Sequence, residues 1–350
     1  MYQFDKRIVM TLDAGGTNFV FSAIQSNEEI VEPIVLPSNG DNLEKCLETL
    51  VTGFSAIKLK LPDNPVAISF AFPGPADYVN GIIGDLNNLP AFRGGVALGA
   101  FLKNVFGIPV FIDNDGDLFA YGEALAGALP EVNRMLGNAG KSKVYKNLIG
   151  ITLGTGFGGG VVRDGELFLG DNGSAAEVWV LRDKREPVYS VEEGISIRAI
   201  KREYARLSGD PRKLTPKDIF DIAEGTLEGD QASARTTFEH AGEVLGEAIA
   251  SINAVVDGIV VLGGGIVAAH KYLMPSVIRE LNGTVAMYEG APADRIEMKA
   301  FFLDDPAGLT AFLAPTSRQI LVPGTTETIE YDPVKRMGVI TTKLGTSKAI

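Results

Sequence analysis

Residues 146–170, KNLIGITLGTGFGGGVVRDGELFLG, hold two short apolar runs around a turn where glycine occupies positions 154, 156, 158, 159 and 160. A hairpin turn needs one or two glycines, and each further one costs about 0.5–1 kcal/mol of backbone entropy. The surplus points to a place where something approaches the main chain closely. The same plan occurs earlier in RIVMTLDAGGTNFVFSAI (7–24), which reads as strand, glycine turn and strand, with Gly15 and Gly16 at the turn. Short apolar strands and helix-like stretches follow each hairpin: NPVAISFAFPGP (64–75) and GIPVFIDND (107–115) after the first, VDGIVVLGGGI (256–266) and RIEMKAFFLDD (295–305) after the second. The repetition predicts an α/β chain of two similar halves that face each other across a cleft.

Helical spacing of apolar residues marks 43–57, 116–129 and 231–256, the last expected as a core helix behind the second sheet. The more polar stretch 181–214 reads as an insertion forming a loop and a helix. The two halves divide at 1–112 and 113–304, with a helix near 305–317 expected to join the first half and a β-hairpin tail over 318–350.

The chain has 350 residues, 45% hydrophobic and 22% charged, enough to bury a large core. A net charge of -12 argues against nucleic-acid and anionic-membrane partners, which need clustered Lys and Arg. Cys46 is the single cysteine, read as a small core residue, and with only His240 and His270 the chain cannot assemble a Cys/His zinc cluster. The N-terminal residues enter a strand pattern at once, and no apolar run approaches the ~20 residues that span a bilayer, so a soluble cytoplasmic protein is expected.

Three glycine turns carry the chemistry. In LDAGGTNF (12–19) backbone N–H groups could cradle a phosphate beside the Thr17 hydroxyl, with Asp13 able to hold a metal ion through water, although a plain hairpin also favours Gly-Gly. In TLGTGFGGGVV (152–162) phosphate cradling is preferred over a structural turn, with Thr152 and Thr155 adding hydroxyls. VVLGGGIVAA (260–269) places Gly263, Gly264 and Gly265 between a buried strand and an expected helix whose N-terminus would favour an anion. No turn has dinucleotide-fingerprint spacing or a Walker lysine. In DNDGD (113–117) one side chain suffices to cap the following helix, which leaves the other carboxylates to be solvated, paired or used.

The ordered motifs resemble the ROK family of sugar kinases and repressors, within the actin and hexokinase-like superfamily, from about Ile8 to the end of AGLTAFLAP (307–315). The resemblance implies two actin- or ribonuclease H-like domains flanking a central cleft. DAGGT (Asp13, Gly15, Gly16, Thr17) matches the first phosphate motif, LGTGFGGG (Gly154, Thr155, Gly156) the second, and LGGGI (Gly263 to Gly265) the adenosine-side motif. Asp115 falls on the catalytic aspartate, Asn114 and Asn88 on sugar-contacting asparagines, and Glu177 and Glu192 on sugar-holding glutamates, with Glu193 leaving the last register open by one. Asp113 and Asp117 match no role, so capping or solvation is expected for both. The family's histidine falls on Val180 and its glycine on Trp179, here read as a core tryptophan before a stacking one. RDKREPVYSV (182–191) replaces the cysteine cluster, so no zinc site is expected.

The implied activity is phosphorylation of a hexose, at the C6 hydroxyl, by ATP with Mg²⁺ and Asp115 as general base, in a homodimer. Polyphosphate as donor stays open, as do two other readings. A sugar-responsive regulator would need a DNA-binding module, for which the start of the first motif at Asp13 leaves no room upstream. A non-catalytic actin-like nucleotide binder would have no use for Asp115 and the sugar residues.

Overall fold

The computed structural model describes residues 4–72, 74, 76–84 and 89–345. The first half is built on β1 (Val9–Ala14) and β2 (Asn18–Gln25), paired antiparallel from Val9 opposite Ile24 to Ala14 opposite Phe19. β3 (Glu28–Glu29) and β4 (Ile34–Pro37) add to the outer edge of β2. On the other side β5 (Ala67–Ala71) pairs parallel with β1, and past the short ribbon of β6 (Ala76–Asp77) and β7 (Ile82–Ile83), β8 (Val110–Asp113) pairs parallel with β5. The order is β3-β2-β1-β5-β8.

α1 (Leu43–Lys60) starts at Asn42, whose side chain accepts from the Lys45 N–H at 3.0 Å. Its buried residues Cys46, Leu50, Phe54 and Ile57 recur every three or four positions and so form one face. That face meets Phe21, Phe70 and Phe106, with Phe54 edge-on to Phe21 at 5.1 Å between ring centroids. Burying each such ring removes about 1.5–3 kcal/mol of unfavourable hydration. Cys46 is a fully buried member of this core, and burial pushes its thiol up to about 11. α2 (Leu98–Phe106) ends on Gly107 in the left-handed conformation.

After β8 the chain leaves the first sheet. α3 (Asp115–Leu125) and α4 (Ala128–Asn138) cover one face of a second six-stranded sheet through Phe119, Ala120, Leu129 and Val132. In that sheet β9 (Leu148–Leu153) and β10 (Phe157–Arg163) form the second hairpin, β11 (Glu166–Leu167) pairs with β10, and β12 (Ile259–Gly263) runs parallel to β9. Between β11 and β12 lie α5 (Glu192–Ile195), α6 (Ile197–Ser208), α7 (Pro216–Glu224) and the 26-residue α8 (Gln231–Val256). α8 and α9 (His270–Leu281) pack on the opposite face, with Phe238, Leu245, Ile249, Leu273 and Val277 buried. Among the described residues no helix is long and apolar enough to cross a membrane.

The last part of the chain departs from expectation. Past a two-residue ribbon of β13 (Thr284–Val285) and β14 (Ala293–Asp294), β15 (Lys299–Phe302) leads into α10 (Pro306–Leu313). α10 does not join the first half: Phe312 is buried beside Tyr145 and Phe301, at 6.2 and 6.0 Å between centroids, in the second sheet's core. The three-residue connection from β15 folds the helix back on its own strand. A hairpin of β16 (Arg318–Leu321) and β17 (Thr328–Tyr331) does form. β18 (Arg336–Thr341), however, enters the sheet between β12 and β15, parallel to both, with Met337 to Ile340 buried, giving the order β11-β10-β9-β12-β18-β15. The tail is therefore part of the second core.

Candidate active site

The chain crosses from one sheet to the other between Asp113 and Asp115, and this crossing places the candidate base. Asn114 is extended (φ -70°, ψ 149°) and its Oδ1 accepts from the Gly116 N–H at 2.7 Å, so the asparagine is the helix cap. Asp115, the first residue of α3, is exposed, and its Oδ1 accepts from the same N–H at 2.9 Å. Both line a cleft of about 720 Å³ between the halves, together with Gly154, Thr155 and Gly156 of the second glycine turn, Glu177, Trp179 and Glu192.

Capping and solvation do not account for the two remaining aspartates. Asp117 is only 5% exposed, and Oδ1 of both Asp113 and Asp117 is buried without a hydrogen-bond partner. Burial pushes the Asp113 carboxyl up to about 6, opposed by the Asn114 backbone N–H. Burial first, and then the negative charges of Asp113, Glu177 and Asp115, push Asp117 up to about 7. Asn114 made capping by either aspartate unnecessary, and α3 is too close to β10 for water to reach Asp117.

That closeness corrects the reading of the surplus glycines. A Cβ on Gly116 would stand 2.5 Å from the Gly159 carbonyl oxygen, one on Gly150 2.7 Å from Ala120 Cα, and one on Gly160 2.8 Å from Asp117 Cα. The backbone approached by Gly160 is that of α3, and with Gly116 and Gly150 it lets the helix bearing Asp115 lie directly on β9 and β10, whereas a Cβ on Gly159 would meet Val178. Gly154 differs, since a Cβ there would meet nothing within 4 Å, and Thr155 is exposed. The part of the turn open to an anion is Gly154 and Thr155, since the Glu192 carboxylate stands beside Gly156, 2.6 Å from where a Cβ would be.

Glu192 serves this turn. Its Oε2 accepts from the Phe157 N–H at 2.9 Å while Oε1 pairs with Arg198 at 2.6 Å. Glu193 points elsewhere, to Arg198 and to Arg202 at 2.7 Å, and these cations hold its carboxyl below the usual range. Of the two glutamates, Glu192 lines the cleft.

Glu177 sits in a short stretch of unusual backbone. Ala176 has φ +61°, a left-handed value that costs a residue with a Cβ about 1 kcal/mol or more. Val178 is buried against Gly159, where a Cβ would lie 2.6 Å from its Cγ2. Pinning Val178 turns Glu177 and Trp179 outward on either side of it. Trp179 is no core residue: it is 44% exposed and its indole N–H donates to Glu177 Oε2 at 2.6 Å.

The loop 182–191, which stands where the resemblance leads one to look for zinc ligands, is closed by hydrogen bonds. Asp183 Oδ1 accepts from the N–H groups of Arg185 at 2.7 Å and Glu186 at 3.2 Å, and Arg182 donates to the Pro187 carbonyl at 2.6 Å. Among the described residues no group of three or more His, Cys, Asp and Glu side chains is arranged to hold a metal ion.

The other turns lie at the same sheet edges. Asp13 is level with Ala71 across β1 and β5, and Ala71 with Asp113 across β5 and β8, so Asp13 and Asp113 end strands on one edge of the first sheet. Gly15, Gly16, Thr17 and Asp13 do not themselves line the cleft. Gly16 is held through its carbonyl, which accepts from Ser38 Oγ at 2.6 Å. Gly263 is level with Thr152 at the matching edge of the second sheet. Gly264 (φ +91°) reaches the cleft, and a Cβ on Gly265 would meet nothing within 4 Å. A 3-10 turn over Gly265–Ala269 intervenes before α9, so the expected helix N-terminus does not follow the glycines directly. Asn88 lies outside the described residues. Tyr78 is an addition from the first half: it lines the cleft and its hydroxyl donates to the Phe72 carbonyl at 2.9 Å.

Comparison with known proteins adds the following. The model of the ROK family matches residues 9–312. The crystal structure of a glucokinase from Parabacteroides distasonis ATCC 8503 is 55% identical, with a TM-score of 0.93 over 100% of this chain and 96% of that one. A glucokinase of Thermotoga maritima is 28% identical over 306 residues, 76% of this chain and 88% of that protein. An N-acetyl-D-glucosamine kinase of Vibrio parahaemolyticus is 28% identical over 272 residues, 73% of this chain and 83% of that protein.

Proposed function

The chain belongs to the ROK family and has the fold of its sugar kinases, and from that premise we propose that it phosphorylates a hexose at the C6 hydroxyl with ATP as donor. One observation carries the proposal: the exposed Asp115 shares a single cleft with the glycine turn Gly154–Gly156 and with Glu177 and Glu192. Glucose is the first candidate acceptor, because the relative at 55% identity is named a glucokinase. N-acetylglucosamine comes second.

In the proposed reaction the sugar hydroxyl oxygen bonds to the γ-phosphorus, the bond from that phosphorus to the bridging oxygen of ADP breaks, and the hydroxyl proton passes to Asp115. The transition state is loose, so the protein mainly positions the reactants and offsets charge. Asn114 has its Oδ1 engaged in capping, and its side chain also meets the Tyr78 hydroxyl at the cleft wall, which would orient its amide N–H toward a sugar oxygen. Glu177 keeps Oε1 for a hydroxyl. Glu192, tied to the Phe157 N–H, couples the sugar side of the cleft to the phosphate turn. Asn88 is proposed as a further sugar contact.

The residues fit the anionic donor and its ion. Gly154 leaves open space where a side chain would stand, and Thr155 adds an exposed hydroxyl. Mg²⁺ usually keeps several waters and takes one or two carboxylates plus phosphate oxygens, so it needs no all-protein cage. Asp13, exposed at the end of β1, would hold it, and the ion would offset charge on the phosphates.

The test is a coupled assay over a panel of hexoses with ATP and Mg²⁺, on the wild type and Asp115→Asn. Loss of a positioned base lowers turnover by about 10²–10⁴-fold. A folded variant with unchanged kcat refutes the mechanism, and a wild type that phosphorylates no hexose refutes the function.

A further inference from the structure

We propose that Trp179 is a sugar-binding and specificity-determining residue, holding Glu177 through its indole N–H and covering an apolar face of the sugar with its ring. The inference rests on the hexose kinase reading and extends it to a residue that reading does not use.

Three features of the fold converge on this side chain. Trp179 lines the same cleft as Asp115 and Glu177, and it keeps 44% of its surface exposed. An indole left half open to water forgoes a large hydrophobic stabilisation, which a flat apolar ligand face would restore. Its polar edge is already engaged, since Nε1–H donates to Glu177 Oε2 at 2.6 Å, so the ring plane is held from one side. The backbone around it is set by the left-handed Ala176 and the buried Val178 against Gly159. Rigid aromatic side chains placed in this way offer contact area at low entropic cost. The neighbouring Val180, 56% exposed, has no hydrogen-bonding group on its side chain, which leaves Trp179 to orient Glu177 in this stretch.

The two tasks separate by substitution. Trp179→Phe keeps an aromatic face and removes the N–H, whereas Trp179→Ala removes both. An aromatic face rewards a pyranose whose hydroxyls lie equatorial and leave the ring C–H groups exposed. Discrimination between glucose and its axial epimers should therefore survive in Trp179→Phe and fall in Trp179→Ala.

Trp179 is the only tryptophan of the chain, so its emission reads this position without interference. The experiment titrates the full-length protein with glucose, mannose and N-acetylglucosamine without nucleotide, following tryptophan emission, and measures KM for sugar and for ATP in wild type and both variants. The expected result is a saturable emission change with half-saturation near the sugar KM. Sugar KM should rise about tenfold in Trp179→Phe and further in Trp179→Ala, with ATP KM within about twofold of wild type. A silent emission at ten times the sugar KM, together with unchanged sugar KM in a folded Trp179→Ala, overturns the inference while the kinase reading stands. If no hexose is phosphorylated but a sugar still moves the emission saturably, the kinase reading falls and the sugar contact stands.

Discussion

Asp117→Asn removes a carboxyl that the fold buries without a partner for Oδ1. A group whose folded value lies above its unfolded one contributes most favourably at low pH. That contribution is lost as pH rises from the unfolded value, 3.8 for this aspartate, through the folded value of about 7. Worked through, the carboxyl costs the native state on the order of 4 kcal/mol near pH 8 and less than half of that near pH 5. The groups facing it are Asp113 from β8, Asp115 from α3 and Glu177 beside Val178, all acids, so none offsets the cost. Asparagine has similar shape and no charge. The variant should gain about 2–3 kcal/mol relative to wild type between pH 5 and pH 8, several degrees in Tm for a protein of this size. Urea unfolding at both pH values, with the slope checked for constancy, measures it. A wild-type-to-variant difference that is flat with pH, or that falls toward pH 8, refutes the reasoning and means that Asp117 is ionised and paired in the native protein.

Gly160→Ala places a methyl 2.8 Å from both Ala120 Cβ and Asp117 Cα, so α3 must shift. Overpacking of this kind costs about 1–3 kcal/mol, and because Asp115 rides on the same helix, kcat should fall with it. A variant with wild-type Tm and kcat would show that the helix does not depend on this close approach. Truncation after Ser317 deletes β18 from between β12 and β15 and removes Thr342, which donates to the buried Glu123, and Thr341, which donates to Asp304 at 2.7 Å. The truncated chain should be insoluble or lack a cooperative melt, whereas replacing only the exposed hairpin tip 322–327 should leave the melt unchanged. A soluble truncated chain with a sharp transition would refute the placement of β18.

The repeated plan of hairpin, strands and helices was legible because each piece is local: RIVMTLDAGGTNFVFSAI and KNLIGITLGTGFGGGVV both show alternating apolar residues around glycine. The ordered motifs likewise led to Asp115, Asn114, Glu177 and Glu192, and the fold brings these four into one cleft. Asp13 and the first turn end on the edge of the first sheet outside that cleft, a separation between halves that linear spacing does not encode. Trp179 and Asp117 were read by the habits of their residue types, tryptophan inside and aspartate outside, and both are reversed here by what α3 and Val178 do to the space around them.

By itself the amino-acid sequence determined the two-part α/β plan, the buried face of α1 and the residues with chemical capacity. These follow from apolar periodicity, turn chemistry and residue type, which act over a few neighbours. Only the tertiary structure decided that Gly160 meets a helix, that RMGVIT becomes an inner strand, that α10 packs on the second sheet, and that Trp179 faces the cleft. Each of those depends on which distant backbone occupies the adjoining volume, and close packing assigns that volume only when the whole chain has folded.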